Sequence, residues 1–363
     1  MLRTRAFSPL SFLPLAMFAV CAGLSAQPAS GPASKQASSG QTGLIELQIP
    51  PSRTDPEIKT FDQPHVIWVN RDIVVDRKPD LPAARSQLLL FLPGTVPPTA
   101  EAAPVPSPGA AAPKKAPTGR PGPVAFCELA ANLGYHVILL KYPNEKSASA
   151  AARDEDVAEF ERFRMAIIAG GASKHITIAR NESIEHRLIK LLQQLQRARP
   201  REDWKQFLTD AGDIKWRAIA VAGQSQGGGH AALIAKKHEV ARVIATGAPK
   251  DYSLRHRKPA AWLTASSATP PSRIFCFNHV QDRQAANLEQ QRENLRALQL
   301  DKVAPEVNVD TATPPYSHSR MLFTDFPGGK ELSSREAHTA VISSRNVKTF
   351  EPVWRYMLTE EVK

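Results

Sequence analysis

WRAIAVAGQSQGGGHAALIAKKHE, residues 216–239, decides how this chain is read. It has an apolar strand-like run from Ala218 to Ala222, a tight turn, and then a helical segment opened by three glycines. At the turn stands Gly223-Gln224-Ser225-Gln226-Gly227, a G-x-S-x-G pattern. A serine at a sharp strand-to-helix junction is held in strained backbone geometry with its hydroxyl exposed. A β-carbon two residues before or after it would crowd the turn, so glycine is required there. The helix N-terminus beside the serine favours the negative charge that develops in acyl transfer. The other reading is a glycine-rich turn that only packs or holds a phosphate. No G-K-[ST] follows and no G-x-G-x-x-G is present, so the phosphate and dinucleotide patterns do not fit.

Outward from the turn, strand-like and helix-like segments alternate. Ser86–Leu92 is a continuous apolar run closed by Pro93-Gly94-Thr95, and His136–Leu140 is another. Such runs suit strands buried on both faces. Val240–Ala245 and Ile274–Phe277 follow the serine, with Val307–Val309 and Met321–Phe323 later. Helices are expected at Val124–Leu133, Asp154–Ala169, Ser183–Gln196, Gln284–Leu298 and Val353–Thr359. The third is strongly amphipathic, with Ile184, Leu188, Leu191, Leu192 and Leu195 on one face. Ahead of these, Gly43–Ile49, His65–Asn70 and Asp72–Val75 read as short antiparallel strands. The alternation implies an α/β chain with a largely parallel sheet covered on both faces. Sites in such sheets form past the carboxyl ends of strands.

The chain has 363 residues, 42% hydrophobic and 22% charged, which fits a full globular core rather than a disordered chain. Residues 1–26 read as a secretory signal: Arg3 and Arg5, an apolar run from Leu10 to Val20, then Ala22-Gly23-Leu24-Ser25-Ala26 as a cleavage region. The apolar run is shorter than the about 20 residues that span a bilayer, so an exported chain without a stable membrane span is expected. Residues 27–42 read as a flexible N-terminus, and 43–363 as one domain interrupted by a Pro/Ala-rich insertion at 96–123. That insertion is a spacer or a flap over the site. Formal charge is +11; losing Arg3 and Arg5 leaves +11 − 2 = +9. The basic residues are spread along the chain with no dense run, which argues against specific nucleic-acid binding. Cys127 and Cys276 read as two buried thiols, although an oxidising compartment would allow them to pair.

A serine hydroxyl needs a base, normally histidine, oriented by a carboxylate. Asp282 lies in the loop past Ile274–Phe277 and is the candidate acid, with a helix N-cap as its plainer role and Asp251 as the runner-up. His338, in a loop after the last strands, is the candidate base; His318 and His279 are alternatives. His230 lies on the helix after the serine and should pack away from it. The oxyanion needs two backbone N–H donors. Gln226, next after the nucleophile, supplies one. Pro93 has none to give, so Thr95, or else Gly94, supplies the second. The histidines are scattered and no H-E-x-x-H or paired C-x-x-C occurs, so neither a metal nor a cofactor is expected.

G-Q-S-Q-G around Ser225, L-P-G-T at 92–95, Asp282 past a late strand and His338 near the end together resemble the α/β-hydrolase superfamily, of the secreted esterase and lipase kind. The resemblance spans about residues 44–360. It implies the α/β-hydrolase fold, with a mostly parallel central sheet flanked by helices, and a serine hydrolase acting on small-molecule or polymeric esters through an acyl-enzyme. A helical cap between Asp154 and Ala172 would shape the acyl pocket. Two departures stand out. Ala337 occupies the position before the base where glycine is usual, and the proline-rich insertion directly follows the oxyanion loop. A peptidase or amidase of the same fold, or a non-catalytic extracytoplasmic binding protein, are the competing readings.

Overall fold

The computed structural model describes residues 43–96 and 122–362. The expected signal at 1–26, the N-terminus at 27–42 and all but the ends of the 96–123 insertion lie outside them. Among the described residues nine strands form one sheet: β1 (Leu44–Ile49), β2 (His65–Asn70), β3 (Leu88–Leu92), β4 (His136–Leu139), β5 (Ile219–Gln224), β6 (Arg242–Thr246), β7 (Ile274–His279), β8 (Val307–Asn308) and β9 (Met321–Thr324). Their order is β1-β2-β4-β3-β5-β6-β7-β9-β8. β2 runs antiparallel to both neighbours, and every other pairing is parallel. The principal helices are α1 (Val124–Asn132), α2 (Glu159–Ala169), α3 (Ile184–Ala198), α4 (Gln226–Lys237), α5 (Leu288–Ala297), α6 (Ser334–Ala340) and α7 (Val347–Thr359).

Strand side chains alternate between faces, so β3 feeds two cores. Leu88, Leu90 and Leu92 enter the core beneath α2, α3 and α4. Leu89 and Phe91 enter the opposite core, beneath α1 and α7. There Phe126 of α1 meets Trp354 of α7 edge to face, with ring centroids 6.0 Å apart. The Trp354 indole donates to the Val341 carbonyl at 2.9 Å, so its one polar group is satisfied in the core. The expected face of α3 is the buried one: Ile184, Leu188, Leu191, Leu192 and Leu195 are all inside. Cys276 lies in the first core and Cys127 in the second, both as free thiols that burial pushes up in pKa.

Local chemistry moves several boundaries. Asp72–Val75, expected as a strand, is replaced by a helical turn over Arg71–Val74, because the Asn70 side chain accepts from the Asp72 N–H at 3.1 Å and caps it. α5 starts at Leu288, later than expected, where Asn287 and Gln290 form a capping box. The segment from Asp154 is a helix only from Glu159. No helix among the described residues is long and apolar enough to cross a membrane.

The sheet places β3 beside β5, so the loop after Leu92 lies against the serine turn. A β-carbon on Gly227 would lie 1.9 Å from the Leu92 carbonyl oxygen and 2.7 Å from that of Pro93. Both are backbone atoms that cannot swing aside. Gly227→Ala is expected to lower stability by about 1–3 kcal/mol through overpacking, measured by chemical denaturation; an unchanged midpoint would contradict the tightness of this contact.

Candidate active site

Ser225 joins β5 to α4 with φ 55° and ψ −120°. Positive φ is uncommon for serine and marks a strained turn. The strain is held by bonds on both sides. The Ser225 N–H donates to the Thr246 carbonyl at 2.8 Å, and the Ser225 carbonyl accepts from Gly229 at 3.1 Å. Ser225 is half-buried and opens into a cavity of about 520 Å³ shared with Thr95, Gln226, Lys250, Asp251 and His338.

His338 is on α6 rather than in a loop. Ser333 and Glu336 form a capping box that starts a helical turn there, which the isolated histidine gave no reason to expect. Its Nδ1 lies 2.7 Å from Asp282 Oδ2. A carboxylate only accepts, so Nδ1 carries the hydrogen, which leaves Nε2 as the acceptor nitrogen of the neutral ring. Asp282 is fully buried and also receives the Gln284 N–H on Oδ1 at 3.0 Å. The loop that carries it is tied to the α6 segment. The Arg283 N–H donates to Ser334 Oγ at 3.0 Å, and Leu332 N–H to Gln281 Oε1 at 2.7 Å. Asp282 and His338 are therefore fixed to one another by these backbone N–H contacts as well as by their own bond.

Lys250, past the end of β6, also pairs with Asp282 Oδ2. Its side chain is 8% exposed, and its Nζ is closed off from solvent against this carboxylate. Burial pushes the Asp282 carboxyl up, but the hydrogen bond to His338 and the Lys250 charge outweigh this and hold it below the usual carboxylate range. Burial pulls the Lys250 ammonium down, opposed by Asp282.

The Pro93–Thr95 loop is also fixed. Tyr142 Oη donates to the Pro93 carbonyl at 2.5 Å, and Asn144 Nδ2 to the Gly94 carbonyl at 2.6 Å. A β-carbon on Gly94 would lie 2.4 Å from Gln224 Oε1 and 3.0 Å from the Ser225 β-carbon. Gly94 thus lets this loop approach the serine, and Thr95 lines the cavity with it. Gln226 begins α4, so its N–H is among those without an intrahelical acceptor. Its side chain accepts from Ala148 N–H at 2.8 Å and donates to the Lys146 carbonyl at 2.9 Å, clamping that loop over the turn.

Asp251, the runner-up acid, is engaged by Arg164 and Trp262 and makes no bond to His338. Its Oδ2 and Oδ1 take a two-pronged contact from Arg164 of α2, at 2.6 Å from Nε and 2.5 Å from Nη2. Trp262 donates to the same Oδ2 at 2.8 Å, and Arg164 Nη1 reaches the Gln226 carbonyl at 2.9 Å. Arg164 is thus the contribution of the 154–172 segment to the cavity. The alternative bases are engaged elsewhere. His279 is buried, with Nε2 2.9 Å from the Phe326 carbonyl and Nδ1 accepting from Gln281. His318 is exposed against Glu360. His230 packs edge to face on Tyr142, and burial, then Arg164, pull it well below its usual pKa. Asp154, Glu159 and His175 are close enough to share a cation, but Lys174, Arg162 and His175 itself already engage these carboxylates. The sequence reasoning missed Arg164, Lys250 and Arg335. Lys250 stood one residue from Asp251 at a strand end, but its partner is 32 residues away.

Strand order and the serine turn between β5 and α4 together make this the α/β-hydrolase fold. No protein-family model and no curated protein matches the chain. Solved structures do. TT1662 from Thermus thermophilus is 14% identical, over 82% of this chain and 94% of its own, with a TM-score of 0.33. An inhibited esterase B from Lactobacillus rhamnosis is 10% identical, over 87% of each chain, with a TM-score of 0.41. At these values neither adds to what the strand order already shows.

Two substitutions separate the two aspartates. Asp251→Ala leaves Arg164 buried without its partner and is expected to cost about 3–5 kcal/mol of stability, read by thermal or chemical denaturation. Lys250→Met leaves the protonated imidazole facing an uncompensated carboxylate, which favours the protonated base. The acidic limb of the kcat/KM profile should then move to higher pH by about one unit. A limb that stays in place would mean that the ammonium does not act on the acid–base pair.

Proposed function

We propose that the chain is a serine hydrolase that cleaves carboxylic esters through an acyl-enzyme. The observation that carries this reading is one cavity lined by both Ser225 on its strained turn and His338, whose far ring nitrogen is bonded to buried Asp282. In this reading Ser225 Oγ attacks the acyl carbon while His338 Nε2 takes its proton. Asp282 holds the imidazole and stabilises its charged form. The N–H groups of Gln226 and Thr95 receive the oxyanion. His338 then returns the proton to the leaving alcohol. Water repeats the sequence on the acyl-serine, with His338 again as base, and frees the acid. The run from Arg3 to Ala26 supports export as the setting.

Ser225→Ala is expected to lower kcat/KM on a short aryl ester by more than about 10³-fold and to abolish covalent labelling by a fluorophosphonate. Wild-type labelling and turnover that persist in the variant would remove the nucleophile assignment. Matched amides turned over as fast as esters would place the chain among amidases.

A further inference from the structure

Building on the serine-hydrolase reading, we propose that the ester carries a carboxylate on its alcohol portion and that Arg335 receives it. Among the described residues the cavity is lined by fifteen, of which only Ala148 and Ala285 are purely apolar. Ser147, Ser149, Gln224, Gln284 and Thr339 supply polar groups instead. The lining therefore offers several polar groups that can orient a bound ester.

Its charges are unevenly committed. Three cations line it, Arg164, Lys250 and Arg335, and Asp251 is the one lining carboxylate among the described residues. Arg164 is closed by Asp251 and Gln226, and Lys250 by Asp282 behind the cavity wall. The Arg335 guanidinium has no ion-pair or hydrogen-bond partner among the described residues, and Arg335 is an exposed residue that lines the cavity. One uncommitted positive charge matches a monoanion, and a planar guanidinium matches the two oxygens of a carboxylate.

The side of the ester follows from α6. Arg335 precedes His338 by three residues on this helix, so the two share a face, and both line the cavity. His338 delivers a proton to the departing alcohol, which must lie beside it. Arg335, one turn away, then lies along the alcohol and not along the acyl group held at the serine.

The test compares 4-acetoxybenzoate with its neutral counterpart 4-acetoxybenzamide, after subtraction of the Ser225→Ala rate. Relative to the wild type, the ratio of kcat/KM values, carboxylate over amide, is expected to fall by about tenfold in Arg335→Ala, recover partly in Arg335→Lys, and fall further in Arg335→Glu. The ratio is internal to each variant, so a loss of folded protein cancels. An unchanged ratio in Arg335→Ala and Arg335→Glu overturns the proposal. Monophenyl succinate against phenyl succinamate moves the carboxylate to the acyl side; a stronger Arg335 dependence there overturns the placement on the alcohol. Wild-type protein that neither turns over the neutral ester nor reacts with fluorophosphonate instead removes the serine-hydrolase reading, and this inference with it.

Discussion

The site depends on one backbone contact, the approach of α4's first turn to the end of β3. Gly227 touches the carbonyls of Leu92 and Pro93 at a distance that leaves no room for a side chain. Because β3 and β5 pair in parallel from Leu88–Ile219 to Leu92–Gly223, both strands end at the same level. The chain after each must turn at once, and the two turns meet. One turn is the strained serine junction, and the other is the Pro93–Thr95 loop. The serine and both proposed oxyanion donors are thus placed by sheet register and not by side-chain flexibility, which is how a site is pre-organised.

The remaining parts of the site are suspended from neighbouring strand ends in the same way. β6 ends at Thr246, whose carbonyl holds the Ser225 N–H, and four residues on stands Lys250. β7 ends at His279, three residues before Asp282. α6 carries His338 back to meet them, and its loop is pinned to the Asp282 loop by Gln281 and Ser334. Three consecutive strands in the sheet therefore deliver Ser225, Lys250 and Asp282 in that order, and only His338 arrives on a helix.

This explains what was legible in the sequence. The serine turn was readable because strain, glycine spacing and strand-to-helix order are all local. The placement of Asp282 and Thr95 near the serine turn was readable because a residue past a strand end has a predictable address once the strand is found. The helix under His338 was harder, since a capping box at Ser333 and Glu336 gives little signal in a segment of seven helical residues. Arg164 and Lys250 were not readable at all. A buried charge is defined by its partner, and Arg164 meets Asp251 across 87 residues of chain. Sequence position carries no trace of such pairings until the fold has made them.

Those pairings also set the electrostatics of the cavity. Burying a charge is costly unless it is compensated, so Arg164 and Lys250 are tolerable only because each faces a carboxylate. Asp282 is then shared between an imidazole and an ammonium, which holds it ionised in spite of complete burial. Compensation of this kind leaves the inner wall nearly neutral: each positive side chain is matched at contact distance, and its field is short-ranged. A charge at the rim is not subject to the same constraint, because water can solvate it when the site is empty. Arg335 is therefore free to stay uncommitted where the inner cations are not, and a rim cation of that kind acts on a substrate only once binding has displaced the water around it.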